Sequence, residues 1–195
     1  CFSTGRIYFA GDRHAYCLDA KTGKVVWKTE LPGRPSASSF LVVGNRAYLP
    51  TGALVALDTA TGEMVWEQKD VKSSNASPVA WHHQGQHYIL CNTGNKVMCV
   101  DARDGKVLWE VPGGGQSSPV VSGDFMALRS RDRKLGLVTY ALSPKEPRQL
   151  WLHPLDMQRN EASPLIYEDH VYLLGSEQHL CVSLKNGKVA WMEKR

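Results

Sequence analysis

An all-β chain built from a repeated four-stranded antiparallel sheet is what this 195-residue sequence predicts. Three observations carry the prediction. An eleven-residue segment recurs at a period of about 40 residues. A two-strand hairpin pattern precedes it. No stretch of useful length has helical periodicity, and Gly and Pro punctuate the chain throughout.

The recurring segment is CLDAKTGKVVW at 17–27. It returns as ALDTATGEMVW at 56–66, CVDARDGKVLW at 99–109 and CVSLKNGKVAW at 181–191, with a worn copy, ALSPKEPRQLW, at 141–151. Its last residue is Trp27, Trp66, Trp109, Trp151 or Trp191. The hairpin pattern reads SPVAWHHQGQHYILCNT, SPVVSGDFMALRS and SPLIYEDHVYLLGS, with a looser SSFLVVGNRAYLPT at 38–51. Two strands from the hairpin and two from the segment make four, here A to D from the centre outward. That is one blade of a β-propeller. The repeats run over approximately 1–31, 32–70, 71–112, 113–154 and 155–195 in a single domain.

Within each copy the local chemistry is readable. Asp19 accepts hydrogen bonds from the backbone ahead of it and tightens the C–D turn. Gly23 supplies a positive φ, as do Gly62, Gly105 and Gly187 in their copies. The Trp of strand D buries a large ring whose N–H needs a partner. Val25, Met64 and Val107 share the Trp face, and Val26, Val65 and Leu108 between them are also apolar. This predicts strand D buried on both faces.

The pattern resembles the tryptophan-docking motif of the quinoprotein-like (PQQ-like repeat) propellers, and covers essentially the whole chain. That family includes pyrroloquinoline-quinone dehydrogenases and non-enzymatic relatives such as the lipoprotein that assists outer-membrane β-barrel assembly. The resemblance implies that the Trp joins each blade to the next. It also makes Cys17, Cys99 and Cys181 stand-ins for the small residue found as Ala56 and Ala141, buried and inert. Cys91 reads the same way, and Cys1 lies at a chain end. Five cysteines without a CxxC spacing form neither a disulfide framework nor a zinc site.

Composition narrows the function classes. The chain is 43% hydrophobic and 22% charged, with a net charge of +4. The excess is diffuse and falls short of a nucleic-acid signature. Runs such as YILC and LVAL are too short to span a bilayer. The family's dehydrogenases hold their quinone with a vicinal disulfide and a calcium ion; this sequence has no adjacent Cys-Cys pair. No cofactor is expected, with PQQ and calcium as the alternative.

Other constellations read as structure. His82, His83 and His87 fall in an A–B turn, where adjacent histidines point apart. RSRDRKLG at 129–136, with Arg129, Arg131, Arg133 and Lys134, lengthens a B–C loop that is solvated. PGGGQSS at 112–118 opens a strand rather than a helix, so it is no phosphate cradle. The Asn75 sequon is discounted because Pro78 follows.

Propeller geometry puts D–A and B–C loops on one face and A–B and C–D turns on the other. The D–A loops carry Arg34, Asn75, Gln116, Arg159, Asn160 and Glu161, the candidates for contact with a partner or ligand. The expected function is a non-catalytic scaffold that binds a protein or carbohydrate partner there. The resemblance places it in the periplasm or elsewhere outside the cytoplasm of a bacterium. The alternatives are a fragment of a PQQ- and calcium-dependent dehydrogenase, and a ligand-sensing domain of a membrane signalling protein. The first repeat enters at strand B, leaving five outer strands and four inner ones. The expectation is a piece of a seven- or eight-bladed propeller, which as an open arc would self-associate. A five-bladed ring and an arc completed by a second chain are the alternatives.

Overall fold

The computed structural model describes residues 1–72, 75–155, 162–175 and 178–194. They form five four-stranded antiparallel sheets, the blades of a β-propeller. Blade 1 holds β1 (Phe2–Ser3), β2 (Arg6–Gly11), β3 (His14–Asp19) and β4 (Val25–Glu30). Blade 2 holds β5 (Leu41–Val43), β6 (Arg46–Pro50), β7 (Leu54–Asp58) and β8 (Met64–Gln68). Blade 3 holds β9 (Val79–His83), β10 (Gln86–Asn92), β11 (Lys96–Asp101) and β12 (Val107–Pro112). Blade 4 holds β13 (Val120–Ser122), β14 (Phe125–Arg129), β15 (Leu137–Ala141) and β16 (Arg148–His153). Blade 5 holds β17 (Leu165–Tyr167), β18 (His170–Leu174), β19 (Gln178–Ser183) and β20 (Val189–Lys194). Among the described residues no helix is long and apolar enough to cross a membrane.

The core lies between blades. Separate apolar clusters join blades 1 and 2, 2 and 3, 3 and 4, and 4 and 5. The middle strands supply both faces: β7, LVALD, is buried from Leu54 to Leu57. An unbroken apolar run in a short strand is what a sheet sandwiched on both sides needs.

Four expectations are corrected. Blade 1 does possess an inner strand: Phe2 pairs with Ile7 and Ser3 with Arg6. The hairpin turns through Thr4 and Gly5, both at positive φ (48° and 75°), the geometry that matches strand twist in a two-residue turn. Two residues are too few to show alternation in a sequence.

The outer strands are not buried on both faces. Val25 and Val26 are 58% and 42% exposed, and Met64 and Val65 are each 41% exposed. Each strand D carries a bulge just before its Trp, where Val26, Val65, Leu108, Leu150 or Ala190 stands unpaired against strand C, so the first residues of strand D leave the stacked region.

The worn copy is out of phase. Cys17, Ala56, Cys99 and Cys181 stand opposite their tryptophans, but in blade 4 Thr139, not Ala141, stands opposite Trp151. The hairpin there is longer, and Ala141 pairs with Arg148. Arg129 also departs from the solvated-loop expectation. It ends β14 and is buried, whereas Arg131, Arg133 and Lys134 are exposed.

Candidate functional site

Each D–A loop runs inward to start the next blade, and consecutive loops are tied together near strand A. The Ser39 N–H donates to Ser77 Oγ (3.0 Å), the Ser77 N–H to Ser118 Oγ (2.9 Å), and the Ser118 N–H to Ser163 Oγ (3.0 Å). Pro78, Pro119 and Pro164 follow three of these serines. Proline removes a donor at the innermost, edge strand, where an N–H would lack a ladder partner. The recurring Ser-Pro pairs are the sequence signal for this ladder, which the sequence reading left without a role.

The glycine-rich segment after β12 packs against B–C loops. A Cβ on Gly113 would lie 2.9 Å from the Val97 backbone, and one on Gly114 would lie 2.8 Å from the Gly94 carbonyl. Buried Asn92 clamps this segment: its Nδ2 donates to the Ser117 carbonyl (2.8 Å) and its Oδ1 accepts from the Gly114 N–H (2.8 Å). Ser130 Oγ donates to the Gly113 carbonyl (2.7 Å) and the Arg131 N–H to the Gly114 carbonyl (3.2 Å). Satisfied buried polar networks of this kind hold loops in one arrangement.

On this platform Asn75, Gly94, Gly115, Gln116 and Arg131 line a recess of about 230 Å3. Asn75 and Gln116 come from successive D–A loops, and Gly94 and Arg131 from B–C loops. Arg34 is exposed on its own D–A loop, away from that lining. Arg159, Asn160 and Glu161 lie outside the described residues. The sequence reading missed Gly94, and saw Arg131 only as part of a charged loop.

The opposite face carries the turns. Asp19 Oδ1 accepts from Thr22 Oγ1 and N (both 2.8 Å) and from the Lys21 N–H (3.1 Å). The Thr22 hydroxyl, then the backbone bonds, hold its carboxyl below the usual value. Asp58 is lowered by the Ala60 and Thr61 N–H groups, and Asp101 chiefly by the Arg103 side chain. A cavity of about 460 Å3 lies here between blades 2 and 3, lined by Arg46, Tyr48, His87 and Arg103 among others. Its two guanidiniums are already paired, Arg46 with Asp58 (2.8 Å) and Arg103 with Asp101 (2.7 Å).

The same turns receive the outer tryptophans. The indole N–H of Trp27 donates to the Thr59 carbonyl (3.0 Å), that of Trp66 to Ala102 (3.3 Å), Trp109 to Ser143 (2.9 Å) and Trp151 to Leu184 (2.8 Å). Each acceptor belongs to the next blade. A Cβ on Gly62, Gly105 or Gly187 would lie 2.6, 2.8 or 2.7 Å from the ring of Trp27, Trp66 or Trp151. The glycines are thus needed twice, for positive φ and for the ring.

The three histidines lie in β9 and β10 rather than in the turn between them, and only the adjacent His82 and His83 point apart. His82 and His87 face each other across β9 and β10, while Nδ1 of His83 meets Asp124 Oδ1 (2.8 Å) on the next blade. Asp124 also accepts from Trp81 Nε1 (3.0 Å), and chiefly the His83 bond holds its carboxyl low. Cys17, Cys91, Cys99 and Cys181 are buried and free, and Cys1 is exposed. Desolvation pushes the Cys91 thiol up to about 12 and raises Cys17 and Cys99 as well. Such thiols are poor nucleophiles.

A calcium-bound quinone needs a hard-oxygen ligand cluster. Among the described residues no three His, Cys, Asp or Glu side chains converge, and Asn92 is committed to the loop backbone. These residues do not fit that cofactor.

The comparisons agree with this architecture. Tetrathionate hydrolase of Acidithiobacillus ferrooxidans is 25% identical over 201 residues, covering 87% of this chain and 39% of that protein. Polyvinylalcohol dehydrogenase of a Sphingopyxis species is 28% identical over 149 residues, covering 50% and 23%. The chain thus spans well under half the length of these relatives. Among solved structures, BamB from Moraxella catarrhalis superposes with a TM-score of 0.75 at 17% identity, covering 93% of this chain and 58% of that one. Quinohemoprotein alcohol dehydrogenase from Comamonas testosteroni gives 0.72 at 14%, covering 97% and 41%. The profile of the outer membrane protein assembly factor BamB family matches residues 1–83 and 50–194. With its five stacked blades and that match along its length, the chain belongs to the BamB family of PQQ-like β-propellers.

Proposed function

We propose that this chain is a non-catalytic propeller scaffold, working outside the cytoplasm, whose D–A and B–C loop face holds a protein partner. The observation that carries the reading is the recess of Asn75, Gly94, Gly115, Gln116 and Arg131 on a hydrogen-bonded platform. Variable polar side chains on a rigid scaffold are where binding concentrates. Arg131 and the two amides offer donors and acceptors suited to a polypeptide backbone, with no nucleophile–base pair beside them. Arg34 is a further candidate contact on its own D–A loop, Arg159, Asn160 and Glu161 are candidates outside the described residues, a carbohydrate is the alternative partner, and the Trp–Gly contacts serve blade docking. Family membership supports a partner-holding scaffold, since the family is named for outer membrane protein assembly.

A photo-crosslinking residue placed at Gln116 and, separately, at Lys24 on the other face tests this in cells. Adducts to a polypeptide from position 116 alone, abolished by Asn75→Ala with Arg131→Ala, are expected. Adducts from position 24 alone, or none, would overturn it.

A second reading, an oxidoreductase, draws on the names of relatives that are dehydrogenases. Dye-linked alcohol oxidation by the purified chain with quinone and calcium would favour it.

A further inference from the structure

The A–B hairpin of blade 3 is longer than the others. Counted from the rung level with the outer Trp, the hairpins of blades 1, 2, 4 and 5 end at Ser3–Arg6, Val43–Arg46, Ser122–Phe125 and Tyr167–His170. The equivalent rung of blade 3 is Trp81–Tyr88, and two more follow, His82–His87 and His83–Gln86. The other blades close without these rungs, so blade stacking does not account for them. What they add is three imidazoles on the turn face, in two different settings.

His83 ties the extension to blade 4. Its ring packs on Trp81 (5.3 Å between centroids) and its Nδ1 is taken by Asp124. His82 and His87 stand directly opposite one another on the other side of the sheet, both exposed. Their rings meet edge to face (4.3 Å between centroids, 84° between planes), with Nδ1 turned on Nδ1. Residues opposite one another on antiparallel strands keep their Cβ atoms about 4.5–5.5 Å apart, so the strand register holds the rings together. Two facing Nδ1 atoms can share one proton, or both can offer lone pairs to one cation. A tetrahedral ion with metal–nitrogen bonds of about 2.0–2.1 Å spans two ligands about 3.3 Å apart, within reach of two opposed, exposed imidazoles. Imidazole suits zinc, copper and nickel. Arg46 and Arg103, which line a cavity together with His87, are already paired with Asp58 and Asp101 and do not oppose a cation there.

We propose that His82 and His87 form a two-histidine site for a divalent transition metal ion, the rest of its shell being water. The extra rungs build the site, and the His83–Asp124 bond fixes the hairpin that carries it. Two protein ligands leave positions through which the ion can take a further donor from outside. The site lies on the face opposite the loop recess and is independent of any partner held there.

Zn2+ titration against a chromophoric chelator tests the proposal, on a Cys1→Ser chain so that the exposed thiol does not compete. One Zn2+ per chain is expected at this site. His82→Gln and His87→Gln, both at exposed positions, are each expected to weaken it at least about tenfold, the lower end of what even indirect partners of a metal contribute. His83→Gln is expected to leave the affinity unchanged. Absence of binding at millimolar Zn2+, binding untouched by either substitution of the pair, or equal loss with His83→Gln would overturn it. Side-chain 15N spectra of the unsubstituted histidines give a readout that does not depend on the variants folding. Zn2+ should move the Nδ1 resonances of His82 and His87, and a shift confined to other histidines would refute the site.

Discussion

Replacing Trp109 by alanine probes the junction in the middle of the arc. Its ring is 8% exposed and packs in the cluster of Trp81, Tyr88, Leu90, Met126, Leu128, Val138 and Tyr140. An aromatic side chain buries roughly 150–250 Å2, and at about 25 cal/mol per Å2 this is ~4–6 kcal/mol as an upper bound. Losing the 2.9 Å bond to the Ser143 carbonyl adds little, because that turn can be rehydrated. Measured aromatic-to-alanine changes in cores cost about 3–5 kcal/mol, so ~4 kcal/mol is expected here. Trp191→Ala is the control. The same residue type ends the same eleven-residue segment, but its ring is 45% exposed. About 2 kcal/mol is expected, from the half of the ring that is covered. Urea unfolding followed by far-UV circular dichroism measures both. If the two variants fell within about 1 kcal/mol of each other, blade-to-blade burial would not be what the tryptophans contribute.

Gly62→Ala and Gly23→Ala form a second matched pair. Both positions have positive φ, costing roughly 1–2 kcal/mol with a Cβ, but only Gly62 faces a Trp ring, adding about 1–3 kcal/mol of overpacking; equal losses in urea midpoint would contradict the ring contact. A thiol reagent at mildly alkaline pH should label one cysteine, Cys1, rapidly in the native chain and all five after unfolding. Rapid labelling of Cys91, whose burial pushes its pKa to about 12, would refute the packing around it. Acid should destabilise the chain through its turns. The carboxyls of Asp19, Asp58 and Asp101 titrate below the ordinary value of 3.8, so their contribution is present above that value and is lost as pH falls through the lower folded ones. Asp58→Asn should flatten the fall in urea midpoint below about pH 4, and an unchanged slope would exclude the turn carboxylates as its source.

The features legible from the amino-acid order alone are local or periodic. Asp19, Gly23 and Trp27 lie close enough that turn chemistry and strand alternation specify them without knowledge of neighbours, and recurrence turns one hairpin into a blade. The topology of a four-stranded blade then divides the loops between two faces. The fourth copy marks the limit of this reading, since a longer hairpin and a bulge put Thr139 opposite Trp151 while eleven letters still aligned with Ala141 in that place. Contacts that cross blades were decided only by the tertiary structure. The serine ladder, the bond from His83 to Asp124, the burial of Arg129 and the recess joining Asn75, Gly94, Gln116 and Arg131 all join residues from separate loops or blades. No sequence period states which side chains meet there, because that depends on how each sheet is rotated onto the next. Trp109 and Trp191 put the distinction most plainly. Near-identical segments end in a buried ring at one position and a half-exposed ring at the other, since burial belongs to the neighbouring blade and not to the segment.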